Sequence, residues 1–438
     1  MTPGIRDFLI TFGGRLATLL AMLGTQSCLA WVLGPADRGS YAVCMLLASL
    51  LTVVFAIGCD TAAEYYVASK KASVSQVVTS LLVLGGGGAA LAILAGEVLL
   101  QTPLALMKKA SVTEIQLGLL LIPVGFLSVS IANLLNPLRE FFWSAVFSVT
   151  AVLVQLALTL VFLLVFPWRV TGALLATLAT AAGTLVAAVV FLRRRHHLRL
   201  VLPSMRCLGG MLHYGLRYYV GKLSNETNLQ VGAILLALFA SPEEIGIFSV
   251  AAMSTTRVLM VPDALGTVLL PRVAIDAGGR AELVARSARV VTILCGGALL
   301  ALGVLAHPIV AILFSPKFLP MVPLIWILCL GVWLRSGSKT FVPYLTGTDR
   351  PGTASVAVVV GVGVNLALVL ALMPSMGMAG AAVAMTAGYV VSSIILTATF
   401  RRHSRLAMGA ILRPRRADWA PVVSFWRRLR GLPQVTEE

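Results

Sequence analysis

The sequence predicts an all-α polytopic membrane protein of twelve transmembrane helices in two parallel six-helix repeats. Three observations predict it: an apolar composition divided into span-length runs, basic residues gathered in alternate loops, and motifs that recur about 207 residues further on.

Mean hydropathy is +0.94, with 58% of residues hydrophobic and 12% charged, against about 25% charged in soluble domains. A run of roughly 20 apolar residues crosses a bilayer. Twelve such runs occur, at about 8–33, 40–63, 77–100, 115–137, 141–166, 170–192, 213–239, 246–272, 288–314, 321–346, 353–373 and 377–400. The first has no small-residue cleavage site and continues into "LGPADRGSY" (33–41), so it reads as a retained signal anchor. The six cysteines are scattered, mostly within runs, without a C-x-x-C. They point to small packed side chains, and to neither a disulfide framework nor a metal site.

A net charge of +17 would suit nucleic acid, but position decides otherwise. With the N-terminus taken as cytoplasmic, 23 of the 34 Lys and Arg fall in inward segments. Five lie in outward loops (Arg38, Lys108, Lys109, Arg169, Lys317) and six inside spans. This is the positive-inside bias. It places both termini in the cytoplasm, requires an even number of spans, and leaves no role for a nucleic-acid partner.

The repeat orders the chain. "GRL" (14–16) recurs as "GKL" (221–223), and "PADRGSYAV" (35–43) as "PEEIGIFSV" (242–250), both at a shift of 207. "VQLALTL" (154–160) recurs as "VNLALVL" (364–370), and Gly172-Ala173 as Gly380-Ala381. Four matches in order mark a duplicated six-helix unit. Since six is even, both copies enter from the same side, as in transporters with parallel repeats. The expected parts are an N-terminal lobe (1–192), a basic connector (193–212), a C-terminal lobe (213–400) and a basic tail (401–438).

Candidate functional residues are the charges placed inside spans. In "YYVGKLSNETNLQVGAILL" (218–236), Arg217, Gly221, Asn225, Asn228 and Gly232 share one helical face, which Lys222 and Glu226 extend. A charge at the bilayer centre costs at least about 2.5–3.5 kcal/mol and so faces a cavity or a partner. The plain alternative is a Lys222–Glu226 pair with Arg217 reaching to the interface. Arg15 is the repeat equivalent of Lys222, Arg257 has no acid three or four residues away, and Arg335 and Lys339 repel on one face. Six cations thus meet four acids, Asp60, Glu64, Glu226 and Asp263. That surplus suits an anionic ligand such as a phosphate, with a purely structural network as the other reading. Asn225, Asn228, Asn365 and Gln155 could bond sugar hydroxyls or join helices.

Weaker features follow. "GGGG" (85–88) lies inside a span and reads as close packing or a hinge. Pro262 predicts a kink, and Asp263 beside it is either a proton site or bonded to the freed backbone. "DWAPVVSFWRRLRGL" (418–432) has the spacing of a helix lying on an anionic leaflet, with a disordered tail as the other reading.

These residues resemble the MOP (multidrug/oligosaccharidyl-lipid/polysaccharide) superfamily, and within it the Wzx-type polysaccharide flippases. The resemblance rests on "LGPADRGSYAV" and its repeat "SPEEIGIFSV", with "EYYVAS" (64–69), "VPDALGTVLLPRVA" (261–274) and "YLTGTDRPG" (344–352), and covers about residues 5–402. It implies V-shaped, MATE-like lobes that alternate access. It also implies a cargo of oligosaccharide on undecaprenyl diphosphate, moved to the periplasmic leaflet of the bacterial inner membrane. The family's cationic cavity maps onto Arg15, Lys222, Arg257, Arg335 and Lys339. No cofactor is expected, and coupling to H+ or Na+ would use Asp60, Glu226 or Asp263. The expected partners are lipid-linked oligosaccharide and membrane lipids, with polymerase or chain-length machinery as further candidates. An ion-coupled multidrug exporter is the alternative. A membrane glycan polymerase or ligase would need a large outward catalytic loop, whereas every outward loop here is about fifteen residues or shorter.

Overall fold

Hydrocarbon offers no partner for a backbone N–H or C=O, so a spanning chain must satisfy both within helices or a closed barrel. This chain uses helices. The computed structural model describes residues 3–102, 107–166, 168–199, 201–275, 280–348, 351–413, 415 and 418, and no strand occurs among them. Nine helices among the described residues are long and apolar enough to cross a membrane. Contacts divide the chain into two compact units, residues 1–249 with 310–320, and residues 250–309 with 321–438. The first boundary falls within a helix rather than in the basic connector.

Unit 1 contains α1 (Pro3–Ala56), α2 (Cys59–Ala68), α3 (Val74–Leu100), α4 (Val112–Asn133), α5 (Phe141–Leu160), α6 (Arg169–His196) and α7 (Met205–Phe239), then the first half of α8 (Pro242–Thr256). A loop was expected between the first two spans. Instead α1 continues through a one-residue break at Gly34 (φ 70°, ψ 179°), a conformation open to glycine at little cost. Pro35 then suits the first turn of the next segment. Capping boxes start α3 (Ser73, Gln76) and α4 (Ser111, Glu114). Lys109 donates to the carbonyls of Ala237 and Ala240 at the end of α7, where a cation also answers the helix dipole.

The repeated motif P-x-[DE]-x-G proves to be a crossing of two chain segments. A Cβ on Gly39 would overlap the carbonyl oxygen of Pro242, and one on Gly246 would overlap that of Pro35. Each copy thus sets its glycine against the other copy's proline. The "GGGG" run is close packing, as expected. Gly85 lies under Phe126 and Gly88 against the carbonyl of Phe55, while Gly86 and Gly87 face open space. The cysteines are free, and Cys59 and Cys207 belong to a buried apolar core that also holds Ala62, Leu81, Ile131 and Leu192.

Unit 2 holds the rest of α8, a 3-10 turn (Arg257–Leu259), α9 (Met260–Ile275), α10 (Arg280–Val304), the first half of α11 (Ala306–Leu313), α12 (Met321–Lys339), α13 (Val342–Gly347), α14 (Pro351–Ser404) and α15 (Met408–Leu412). The 3-10 turn is the kink expected from Pro262, whose ring excludes the carbonyl four residues earlier, at Val258. α14, like α1, carries one break, at Gly377 (φ 55°, ψ −135°). Phe341 stacks on Phe400 at 4.4 Å in a core that Ile411 of α15 completes.

Only Asp418 of the expected surface helix is described, and it is anything but peripheral. Its carboxylate, 2% exposed, takes two 2.7 Å hydrogen bonds from Arg289 of α10, itself 2% exposed. Arg289 also reaches Glu282 at 3.0 Å and the carbonyl of Ala410. The remainder of that stretch lies outside the described residues.

Two outcomes follow from these contacts. Gly246→Val should lower the melting temperature of the detergent-purified protein by several degrees or prevent its accumulation, whereas Gly86→Ala should stay within about 0.5 kcal/mol of the parent. The Arg289 bonds hold the Asp418 carboxyl below the usual carboxylate range. A depressed folded pKa contributes stability that is complete above the unfolded value of about 3.9 and fades as pH falls through the folded one. Proteolysis of the tail should therefore be unchanged between about pH 8 and pH 5 and rise in Asp418→Asn, which limited digestion can measure.

Candidate functional site

The described part of the predicted constellation lies in unit 2, on α9, α12, α14 and the 3-10 turn. α12 is buried along one side, and Arg335 points into that side with 5% of its surface exposed. One guanidinium N–H donates to Ser392 Oγ of α14 at 3.1 Å. Among the described residues no carboxylate lies within ion-pair distance of Arg335 or of Arg257. Buried arginines are ordinarily paired, because desolvating a lone guanidinium costs several kcal/mol. Arg335 therefore marks a buried charge that, among the described residues, has no carboxylate in direct contact; Asp263, bound to Lys339, acts on it only at longer range.

Polar groups on α14 deepen this pocket of polarity. Tyr389, Ser392 and Ser393, at i, i+3 and i+4, share a helix face. The Tyr389 hydroxyl and the Asn365 Oδ1 are buried without a hydrogen-bond partner among the described residues, a state that normally calls for a water or a ligand. Ser393 bonds Ser338 of α12 at 2.9 Å, locking α12 to α14 beside Arg335.

Lys339 requires a correction. The sequence left it beside Arg335 with no neighbouring acid, but its Nζ lies 2.6 Å from Oδ1 and 2.8 Å from Oδ2 of Asp263. The Pro262 kink starts α9 afresh at Met260 and brings Asp263 to the end of α12. Three cations of unit 2, Arg257, Arg335 and Lys339, thus meet one acid, and the positive excess rests on the two arginines. Arg257 sits exposed on the 3-10 turn.

The other candidates fall elsewhere. Arg15 on α1, and Lys222, Asn225, Glu226 and Asn228 on α7, have side chains outside the described residues. Asp60 belongs to unit 1, in the first turn of α2, where a helix N-terminus favours a carboxylate. Gln155 bonds Thr177 at 3.2 Å and so joins α5 to α6. Tyr389 and Ser392 were missed. Their one available signal was the polar spacing of "YVVSS" (389–393) within an apolar run.

A family model described as "Polysaccharide biosynthesis protein" matches residues 5–274. No curated protein sequence matches the chain. Among solved structures, the lipid II flippase MurJ in an inward closed conformation superposes with a TM-score of 0.74 at 12% identity, covering 98% of this chain and 94% of that one. The MATE transporter VcmN of Vibrio cholerae, in its bent form, gives 0.60 at 14% identity, with 91% and 96% covered. A MOP superfamily transporter from Pyrococcus furiosus, described as having a binding pocket of reversed polarity, gives 0.62 at 15% identity, with 90% and 94% covered. At these identities the likeness shows the fold alone, and it is the MATE-like fold expected.

The Lys339–Asp263 contact is measurable. A double-mutant cycle of Lys339→Met and Asp263→Asn, read by thermal unfolding in detergent, should give a coupling energy of about 0.5–3 kcal/mol.

Proposed function

Because the chain belongs to the family of polysaccharide biosynthesis proteins, we propose that it flips an oligosaccharide linked to undecaprenyl diphosphate from the cytoplasmic to the periplasmic leaflet of a bacterial inner membrane. The mechanism is alternating access of two six-helix repeats. Twelve crossings follow if each long helix counts twice about its break and the 35-residue α7 is added to the nine candidate spans. The basic loops then orient both termini to the cytoplasm.

One observation carries the reading: Arg335 is buried in a membrane helix with no carboxylate in ion-pair contact among the described residues. A diphosphate of about two negative charges would supply the missing counterion through charge-assisted bonds. The unpartnered Tyr389 hydroxyl and Asn365 Oδ1 would take part in binding the head or its first sugar. Arg257 adds charge in this unit, and Arg15 and Lys222, with Asn225 and Asn228, are the proposed contribution of the other. A multidrug exporter of cations is less well supported, because Asp263 is already neutralised by Lys339. Coupling to H+ or Na+ remains part of the proposal, through Asp60, Glu226 or Asp263. The cargo must interact unequally with the two facing states for binding to drive the change.

Arg335→Ala should reduce export of the host's surface glycan by at least about tenfold, equal to about 1.4 kcal/mol, while the protein still inserts. Arg335→Lys should restore part of it, since charge returns without the planar fork. Deleting the gene should accumulate a prenyl-diphosphate sugar, identified by mass spectrometry of extracted lipids. Undiminished export in Arg335→Ala would remove the site.

A further inference from the structure

One acid stands beside two cations near the end of α12. Asp263 holds Lys339 through both carboxylate oxygens, at 2.6 and 2.8 Å. Arg335 lies one turn earlier on the same face, where i and i+4 side chains are neighbours, and Asp263 acts on it at longer range. Exposure orders the three: Arg335 is 5% exposed, the Lys339 side chain 24% and that of Asp263 56%. In the orientation proposed above, α12 runs toward the cytoplasm. The Lys339–Asp263 pair therefore stands on the cytoplasmic side of Arg335, the side from which the cargo enters.

An ionic strut between α9 and α12 has no advantage as a strut, since apolar side chains of the same volume join helices as well or better. Its ionic character matters when an anion arrives. A carboxylate offers an ammonium two oxygens, as a phosphate does. Asp263 also sits in the first turn of α9, directly after the 3-10 turn at Arg257–Leu259, and such a turn within a longer helix marks a hinge.

A carrier that exports one cargo per cycle must bring its site back empty. Without an acid, Lys339 and Arg335 would make that passage as adjacent positive charges, and uncompensated charge within a membrane is costly. With Asp263 on Lys339, the empty site carries one positive charge fewer.

We propose that Asp263 is a surrogate for the cargo's phosphate. It holds Lys339 while the site is empty, yields it to the diphosphate when cargo binds, and takes it back for the return. The proposal rests on the flippase reading above and gives the carboxylate a role that it performs ionised. Because surrogate and cargo compete for Lys339, the apparent affinity for cargo is lowered by the fraction of sites that the surrogate occupies.

The test uses the full-length protein with undecaprenyl diphosphate as the probe. Binding is read by native mass spectrometry in detergent. Transport is read in proteoliposomes, where added phosphatase releases radiolabel from accessible heads. Net movement is measured with lipid in one leaflet only, exchange with unlabelled lipid present in the other. Asp263→Asn should bind the probe at least about tenfold more tightly than the parent. Its ratio of exchange to net movement should rise at least about tenfold, because exchange needs no empty return. Lys339→Met added to Asp263→Asn restores the charge of the empty site and should bring that ratio to within about threefold of the parent. Neither a strut nor a proton carrier would be rescued in this way. Asp263→Ser provides the same readings should Asp263→Asn fail to insert. Unchanged affinity on loss of the carboxylate, or a ratio that stays raised in the double variant, would overturn the surrogate. Either result, with Arg335→Ala still weakening the binding, leaves the flippase reading standing. A parent protein that does not bind undecaprenyl diphosphate would overturn both.

Discussion

Everything in this protein is shaped by the absence of a hydrogen-bonding solvent along most of its length. A polar group within hydrocarbon must be answered by the chain itself, and nearly every local feature is such an answer. Ser and Thr hydroxyls fold back onto carbonyls one turn earlier, as Thr25 does onto Ala21. Lys109 reaches across unit 1 to close the open carbonyls of α7. The breaks at Gly34 and Gly377 turn the chain within a single residue and so expose few unpaired groups.

Against that background the buried polar groups of α12 and α14 whose bonding is incomplete among the described residues carry the most information. Arg335, the Tyr389 hydroxyl and Asn365 Oδ1 lie on two helices locked together by the Ser338–Ser393 bond. A chain that caps a helix end with paired Ser and Glu side chains has ready means to neutralise a cation, and at the Lys339 ammonium it does so. Four residues earlier on the same helix, Arg335 has no such contact among the described residues, and this difference is what the proposed ligand role of Arg335 rests on.

Much of the fold was legible because span length and loop charge are local properties. Most apolar runs locate their helices to within a few residues, although the runs at 40–63 and 288–314 cross helix ends at Ala56 and Val304, and Pro262 announced the turn at Arg257–Leu259. The repeat located the Gly39 and Gly246 crossing without revealing its purpose. The site was legible in part. Charged residues stand out against an apolar run, so Arg335, Lys339 and Asp263 were found. Their partnerships were not, because Lys339 and Asp263 stand 76 positions apart and Arg335 and Ser392 stand 57 apart. Serine in a membrane helix so often bonds its own backbone that Ser392 carried no signal. Asp418 was misplaced for the same reason: helical spacing put it at the start of a surface helix, while a partner 129 positions away buries it.

The reciprocal contact of Gly39 with Pro242 and Gly246 with Pro35 has a bearing on how such a chain could arise. A surface that meets its own copy, with residue i on j and j on i, is the signature of an isologous dimer. A single half-length ancestor bearing this motif would already have possessed a self-complementary patch. Two separate molecules could have joined through it before any gene fusion, and tandem duplication then made the union permanent. Fusion also freed the two copies to diverge, so that one now carries Arg38 where the other carries Ile245.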